Sequence, residues 1–166
     1  MATTLGRRYY PRILIFSLIF AIMYLAIPYV QEINTYIIYR IFSIETSAST
    51  YGNIVTIPYK TTFISADITA ECSGILSAAI ILFMILIPDV GLKNKLIGIC
   101  LAIPLTLAVN ILRIFLILFV GVTTDIYLIP LMHILSQALL FFWIMLIWTI
   151  YLFIIVKKPK WKYDTA

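Results

Sequence analysis

Charge is scarce in this sequence. Twelve Lys and Arg with seven Asp and Glu make up 11% of 166 residues, against about a quarter in an average soluble domain. That scarcity excludes an ordinary soluble fold. The single histidine and two cysteines leave no paired-cysteine metal motif and room for at most one disulfide. Six glycines form no Gly-rich phosphate loop, and no internal repeat is present. What fills the chain instead is apolar, 63% of it. This composition predicts an all-α polytopic membrane protein, folded as a single transmembrane domain over residues 1–166.

A membrane-spanning helix needs roughly 17–25 apolar residues. Four runs qualify, at about residues 13–30, 73–87, 96–120 and 131–156, the second being short. Arg7, Arg8 and Arg12 precede the first run, with no small-residue cleavage site after it, so it reads as an anchor rather than a removable signal. Lys93 and Lys95 lie between the second and third runs, and Lys157, Lys158, Lys160 and Lys162 follow the fourth. Only Arg40 and Lys60 fall on the other side. The positive-inside rule then places both termini in the cytoplasm and residues 31–70 and 121–130 outside. The formal charge of +5 is topology signal and anionic-lipid contact, not a nucleic-acid footprint.

The outer segment 31–70 carries its own pattern. Ile33, Ile37, Ile41 and Ile44 recur at helical spacing and predict a helix on the membrane surface or against the bundle. Beyond the polar run at 46–50, residues 52–68 are rich in Ile, Val, Thr, Tyr and Phe around Pro58. They predict two short strands capping the outer face. The aromatic residues Tyr9, Tyr10, Tyr151 and Trp161 read as interfacial belt.

Polar residues inside the apolar runs are few, and such residues are usually functional. Arg113 is the only charge deep in a predicted span, His133 opens the fourth, and Cys72 opens the second. Seventeen residues from Leu96, at about 1.5 Å each, put Arg113 roughly 25 Å across. Cys72 and His133 enter from the outer side, so three chemistry-bearing residues from three spans arrive at similar depth. A helix N-terminus at Cys72 would favour its thiolate, and Arg113 would favour it further. Asn110 and Thr106 share the Arg113 face, and Ser136 stands one turn from His133. The bland alternatives are a packed cysteine, a hydrogen-bonded structural histidine, and an arginine paired with Glu71 or Asp125. Cys100 lies on the order of 20 Å from Cys72 along the helices, too far for a disulfide.

ECSGILS at 71–77, NILRI at 110–114 and HILSQ at 133–137 resemble the signature segments of the exosortase/archaeosortase family, most closely its small archaeal members. The resemblance covers about residues 50–140. It implies a membrane-embedded cysteine transpeptidase that cleaves a C-terminal sorting signal, made of a short motif, a transmembrane helix and a basic tail, and passes the new C-terminus to a lipid or other amine. The family's cysteine, arginine and histidine fall on Cys72, Arg113 and His133, with Ser73, Gly74, Asn110 and Ser136 as supporting or substrate-binding positions. Cys72 would attack the scissile carbonyl to form a thioester, with His133 as base and then acid, and Arg113 stabilising the thiolate or oxyanion. No metal or organic cofactor enters that chemistry. The partners implied are substrate proteins carrying the signal and membrane lipids. The rivals are a non-catalytic membrane scaffold and a small anion transporter, neither of which needs a reactive Cys72.

Overall fold

The computed structural model describes residues 2–88 and 90–153, with side chains described at 14 and from 17 onward. The side chains of Arg7, Arg8 and Arg12, the end of the fourth predicted span at 154–156, the lysines at 157, 158, 160 and 162, and Trp161 lie outside the described residues. In chain order come α1 (Ala2–Phe42), β1 (Ser49–Tyr51), β2 (Ile54–Tyr59), β3 (Thr62–Asp67), a 3-10 turn at Ala70–Ser73, α2 (Ile75–Leu86), α3 (Leu92–Thr123), a second 3-10 turn at Ile126–Leu128, and α4 (Ile129–Tyr151). Among the described residues three stretches are long and apolar enough to cross a membrane: Ser17–Phe42, Leu92–Thr123 and Leu128–Tyr151. The protein is therefore a mostly helical, polytopic membrane protein with a small sheet.

The first predicted span does not end at Val30. α1 runs on through Pro28 to Phe42, so the separate surface helix expected after residue 30 is the upper part of one long helix. Lipid punishes an open backbone, and the one N–H that proline lacks is a smaller loss than breaking the helix. The packed face is also not the isoleucine stripe. Ile33, Ile41 and Ile44 are exposed, whereas Asn34, Thr35, Ile38 and Phe42 are buried. Polar Asn34 and Thr35 turn inward because partners await them. Asn34 Nδ2 donates to the Ser73 carbonyl at 3.1 Å, and Thr35 Oγ1 to the Gln31 carbonyl at 2.8 Å.

The span expected at 73–87 is a shorter helix. α2 has 12 residues, about 18 Å of rise against roughly 30 Å of hydrocarbon. Lys95 Nζ donates to the carbonyl of Leu86 at 2.9 Å, satisfying one of the acceptors a helix end leaves open. α3 and α4 pack against α2 around Ile81, Ile85, Ala102, Ile144, Ile147 and Tyr151. Close approach there needs Gly98. A Cβ on it would lie 2.5 Å from the Tyr151 ring.

Three strands form where two were expected, as an antiparallel meander in the order β1-β2-β3. Tyr59 and Thr62 pair across a two-residue turn in which Lys60 takes φ 51°, the left-handed geometry of hairpin turns. Such flanking residues bond each other, so the alternation points the Pro58 nitrogen away from β3. β1 pairs only as far as Thr56, and no ladder bond is lost on that side. Val55, Ile57 and Ile68 pack beneath the sheet on Ile38 and Phe42 of α1 and Ile114 and Leu118 of α3. Unpaired sheet edges do not occur in hydrocarbon, so this end of the bundle lies outside the lipid core.

Candidate active site

Cys72 does not begin α2. It sits in the 3-10 turn Ala70–Ser73, and Gly74 separates that turn from the helix at φ 79°. A left-handed residue there lets the chain leave the turn and start α2 at once. The dipole argument for Cys72 weakens accordingly, because two residues intervene before the first helical one. The thiol is half-buried and packs beside the sheet cluster. Thr69 Oγ1 donates to its sulfur at 3.6 Å. Ser73 is fully buried; its hydroxyl donates to the Ala70 carbonyl at 2.6 Å and accepts from the Ile75 N–H at 3.2 Å. That places Ser73 as the brace of the turn.

Asn110 holds the turn from the α3 side. Its Nδ2 donates to the Cys72 carbonyl at 2.6 Å, and Asn110 has no exposed surface. Gly74 makes room for it, since a Cβ at 74 would lie 2.9 Å from the Asn110 side chain. The Asn110 amide nitrogen is thus occupied by the protein's own backbone. Asn110 Oδ1 is buried without a partner among the described residues. Thr106, one turn below, returns its hydroxyl to the Ala102 carbonyl at 2.7 Å and contributes packing only.

Arg113 is one turn above Asn110 on the same face of α3 and only 9% exposed. Its Nε–H donates to Ser136 Oγ at 3.1 Å, and Ser136 in turn donates to the His133 carbonyl at 2.8 Å. No carboxylate pairs with Arg113 among the described residues, so the expected alternatives Glu71 and Asp125 are not its partners. Among the described residues one of the five guanidinium N–H donors is engaged and four meet no partner. From Lys95, 18 residues place Arg113 about 27 Å along α3, near the sheet-side boundary of the hydrocarbon.

His133 is half-buried in the first turns of α4, where Pro130 occupies a starting position that suits its fixed φ. Gln137, one turn on, places its Nε2 at 3.1 Å from His133 Nε2. An amide nitrogen only donates, so in this arrangement Nε2 is the unprotonated ring nitrogen and Nδ1 carries the proton. Gln137, Thr69, Asn34 and Gln31, which donates to the Ile68 carbonyl at 3.0 Å, are site-supporting residues that the sequence reading missed. Gln137, four residues after the lone histidine, and Thr69, three before Cys72, are local to the residues they meet. Asn34 and Gln31 act across the fold. Cys72 and Cys100 are both free thiols.

The structure thus brings the three predicted segments to one end of the bundle, joined through Asn110 to the cysteine turn and through Ser136 to the histidine. Comparison with curated proteins and with solved structures returns no match. A family model described as transmembrane exosortase (Exosortase_EpsH) matches residues 2–151. With nearly the whole chain covered, the protein belongs to the transmembrane exosortase family.

Proposed function

We propose that this protein is a cysteine transpeptidase or peptidase of the archaeosortase kind. It cleaves the C-terminal sorting signal of surface proteins at the outer membrane face and passes the new C-terminus to a lipid, another amine or water. Membership of the exosortase family supports a membrane-embedded sorting transpeptidase in general. The observation that carries the finer reading is the buried Arg113, unpaired by any described carboxylate and tied through Ser136 to the His133 backbone. A structural ion pair would have an acid beside it. A nearly buried cation whose Nη donors meet no partner among the described residues is suited to charge that develops during reaction.

In this mechanism the Cys72 sulfur, deprotonated by His133 Nε2, attacks the scissile carbonyl. The C–S bond forms as the carbonyl π pair moves to oxygen, and the Arg113 Nη donors stabilise that oxyanion. Collapse expels the leaving amine, which takes the proton from His133, and an amine or water then displaces the thiolate from the thioester. For His133 to act, the thiol must replace Gln137 on Nε2. Asn110 positions the turn bearing Cys72. Both termini lie in the cytoplasm in this reading, and the sheet end faces outward.

The test is co-expression with a reporter ending in a transmembrane helix and a basic tail, preceded by candidate motifs, and read by intact mass. Parent protein yields a reporter lacking helix and tail, or one carrying an added lipid mass. Cys72→Ala leaves the reporter whole. Processing by Cys72→Ala would overturn the thiol mechanism.

A further inference from the structure

We propose that the open edge of β3 is a docking strand on which an extended segment of the substrate protein pairs in parallel, carrying its scissile bond to Cys72. The inference rests on the reading of Cys72 as the nucleophile that cleaves ahead of a C-terminal membrane helix.

The backbone parity is fixed at both ends of β3. At one end Thr62 faces Tyr59 across the two-residue turn. At the other the Ile68 N–H donates to the Asn53 carbonyl at 3.0 Å. Between them Ile64 and Ala66 bond toward β2, and Phe63, Ser65 and Asp67 turn their N–H and C=O groups the other way. The sheet ends at β3, so those groups meet no further strand among the described residues.

The two edges of the sheet differ. β1 has three residues and lies along α1, whereas β3 has six. Apart from its last residue, Asp67, β3 carries no charged side chain, no proline and no bulge, the devices by which proteins blunt a free edge. Phe63 on it is 70% exposed. An unprotected edge of this length is a template for strand addition, in which main-chain bonds supply affinity whatever the side chains.

Position supplies the occupant. β3 ends at Asp67, and Cys72 follows five residues later in the turn braced by Thr69, Ser73 and Asn110. A substrate descends from outside toward its own membrane helix. Its segment N-terminal to the scissile bond therefore runs in the direction of β3, which also leads toward Cys72. Phe63 to Asp67 spans about 13 Å and accommodates about five residues.

The probe is a pool of randomised hexapeptides ending in a vinyl sulfone, which adds to a thiolate without a leaving group. Cys72 labelling by the pool is compared with labelling by iodoacetamide, which needs no docking. The expected result is faster labelling by the pool than by an N-acetylated single-residue vinyl sulfone. Ser65→Pro removes one edge-facing N–H and no β2–β3 main-chain bond, giving up only the exposed hydroxyl contact with Thr56, and an edge strand tolerates proline. It is expected to cut pool labelling about fivefold, the worth of one net hydrogen bond, with iodoacetamide labelling unchanged. On the parent protein, N-methylation along a selected peptide is expected to slow labelling at alternate residues only. Equal labelling by pool and single-residue probe overturns both the site and the docking strand. A pool advantage that survives Ser65→Pro, or N-methyl effects without a period of two, overturns the docking strand alone.

Discussion

The two ends of the bundle are built on different physics. At the Lys95 end, Ile81, Ile85, Ala102, Ile144, Ile147 and Tyr151 pack without any buried polar side chain beyond the tyrosine hydroxyl. Lipid is as apolar as these residues, so no hydrophobic effect drives them together. Close fit, exemplified by Gly98 under the Tyr151 ring, has to do it. At the sheet end, the cluster of Ile38, Phe42, Val55, Ile57, Ile68, Ile114 and Leu118 sits beneath a sheet outside the lipid core. Burial there excludes water and contributes about 1.5–3 kcal/mol per large side chain. Between the two lies a band of buried polar groups, Asn34, Thr35, Ser73, Ser77, Thr106, Asn110, Arg113 and Ser136. The band marks where the fold gives up apolar packing for hydrogen bonding between elements. Substitutions in it should cost processing, and substitutions in the Lys95-end cluster should cost stability.

The largest contrast is between the two cysteines. Cys72→Ala is expected to abolish reporter processing with little change in thermal unfolding in detergent, whereas Cys100→Ala, exposed at the other end, is expected to leave both unchanged. Processing by the first variant, or its loss in the second, would break the assignment of chemistry to the sheet end.

Next comes Arg113→Lys. It keeps the charge but loses the planar fork and the Nε–H that meets Ser136. Losing an oxyanion donor costs about 3–4 kcal/mol, so the processing rate should fall by at least roughly a hundredfold while membrane insertion is normal. A rate near that of the parent would leave Arg113 as a structural cation.

A matched glycine pair then sharpens the comparison. Gly74→Ala incurs roughly 1–2 kcal/mol of left-handed strain and a clash with Asn110, and it should lower processing together with the unfolding temperature. Gly98→Ala pushes on the Tyr151 ring and the Ile85 side chain, about 1–3 kcal/mol of overpacking, and should lower the unfolding temperature with processing retained per folded molecule. If Gly98→Ala impairs processing as strongly as Gly74→Ala, the two ends are one coupled unit.

The smallest effect belongs to Tyr151→Phe. Its hydroxyl reaches the Ile85 carbonyl only at 3.5 Å, a weak bond. The unfolding midpoint should shift by well under about 1 kcal/mol, and a larger loss would mean that the Lys95-end cluster does depend on a polar contact.

Sequence alone was enough for the membrane class, and it singled out Cys72, Arg113 and His133 as candidates because they stand against an apolar background. Such residues stand out because lipid penalises them wherever they have no partner or task. The continuation of α1 past Pro28 and the third strand were not legible. Apolar run length does not say where a backbone stops being helical, and β1 is only three residues long. The inward face of α1 was misread because hydrophobic periodicity names the apolar stripe, and in lipid that stripe can point outward. Nor could periodicity assign the Asn110 amide to the Cys72 carbonyl, Ser136 to Arg113, or Gln31 and Asn34 to the turn leading into Cys72. Those bonds cross 23 to 39 residues of chain. A hydrogen bond needs its partners within about 3 Å at a set angle, and only the packing of α1, α2, α3 and α4 brings them there.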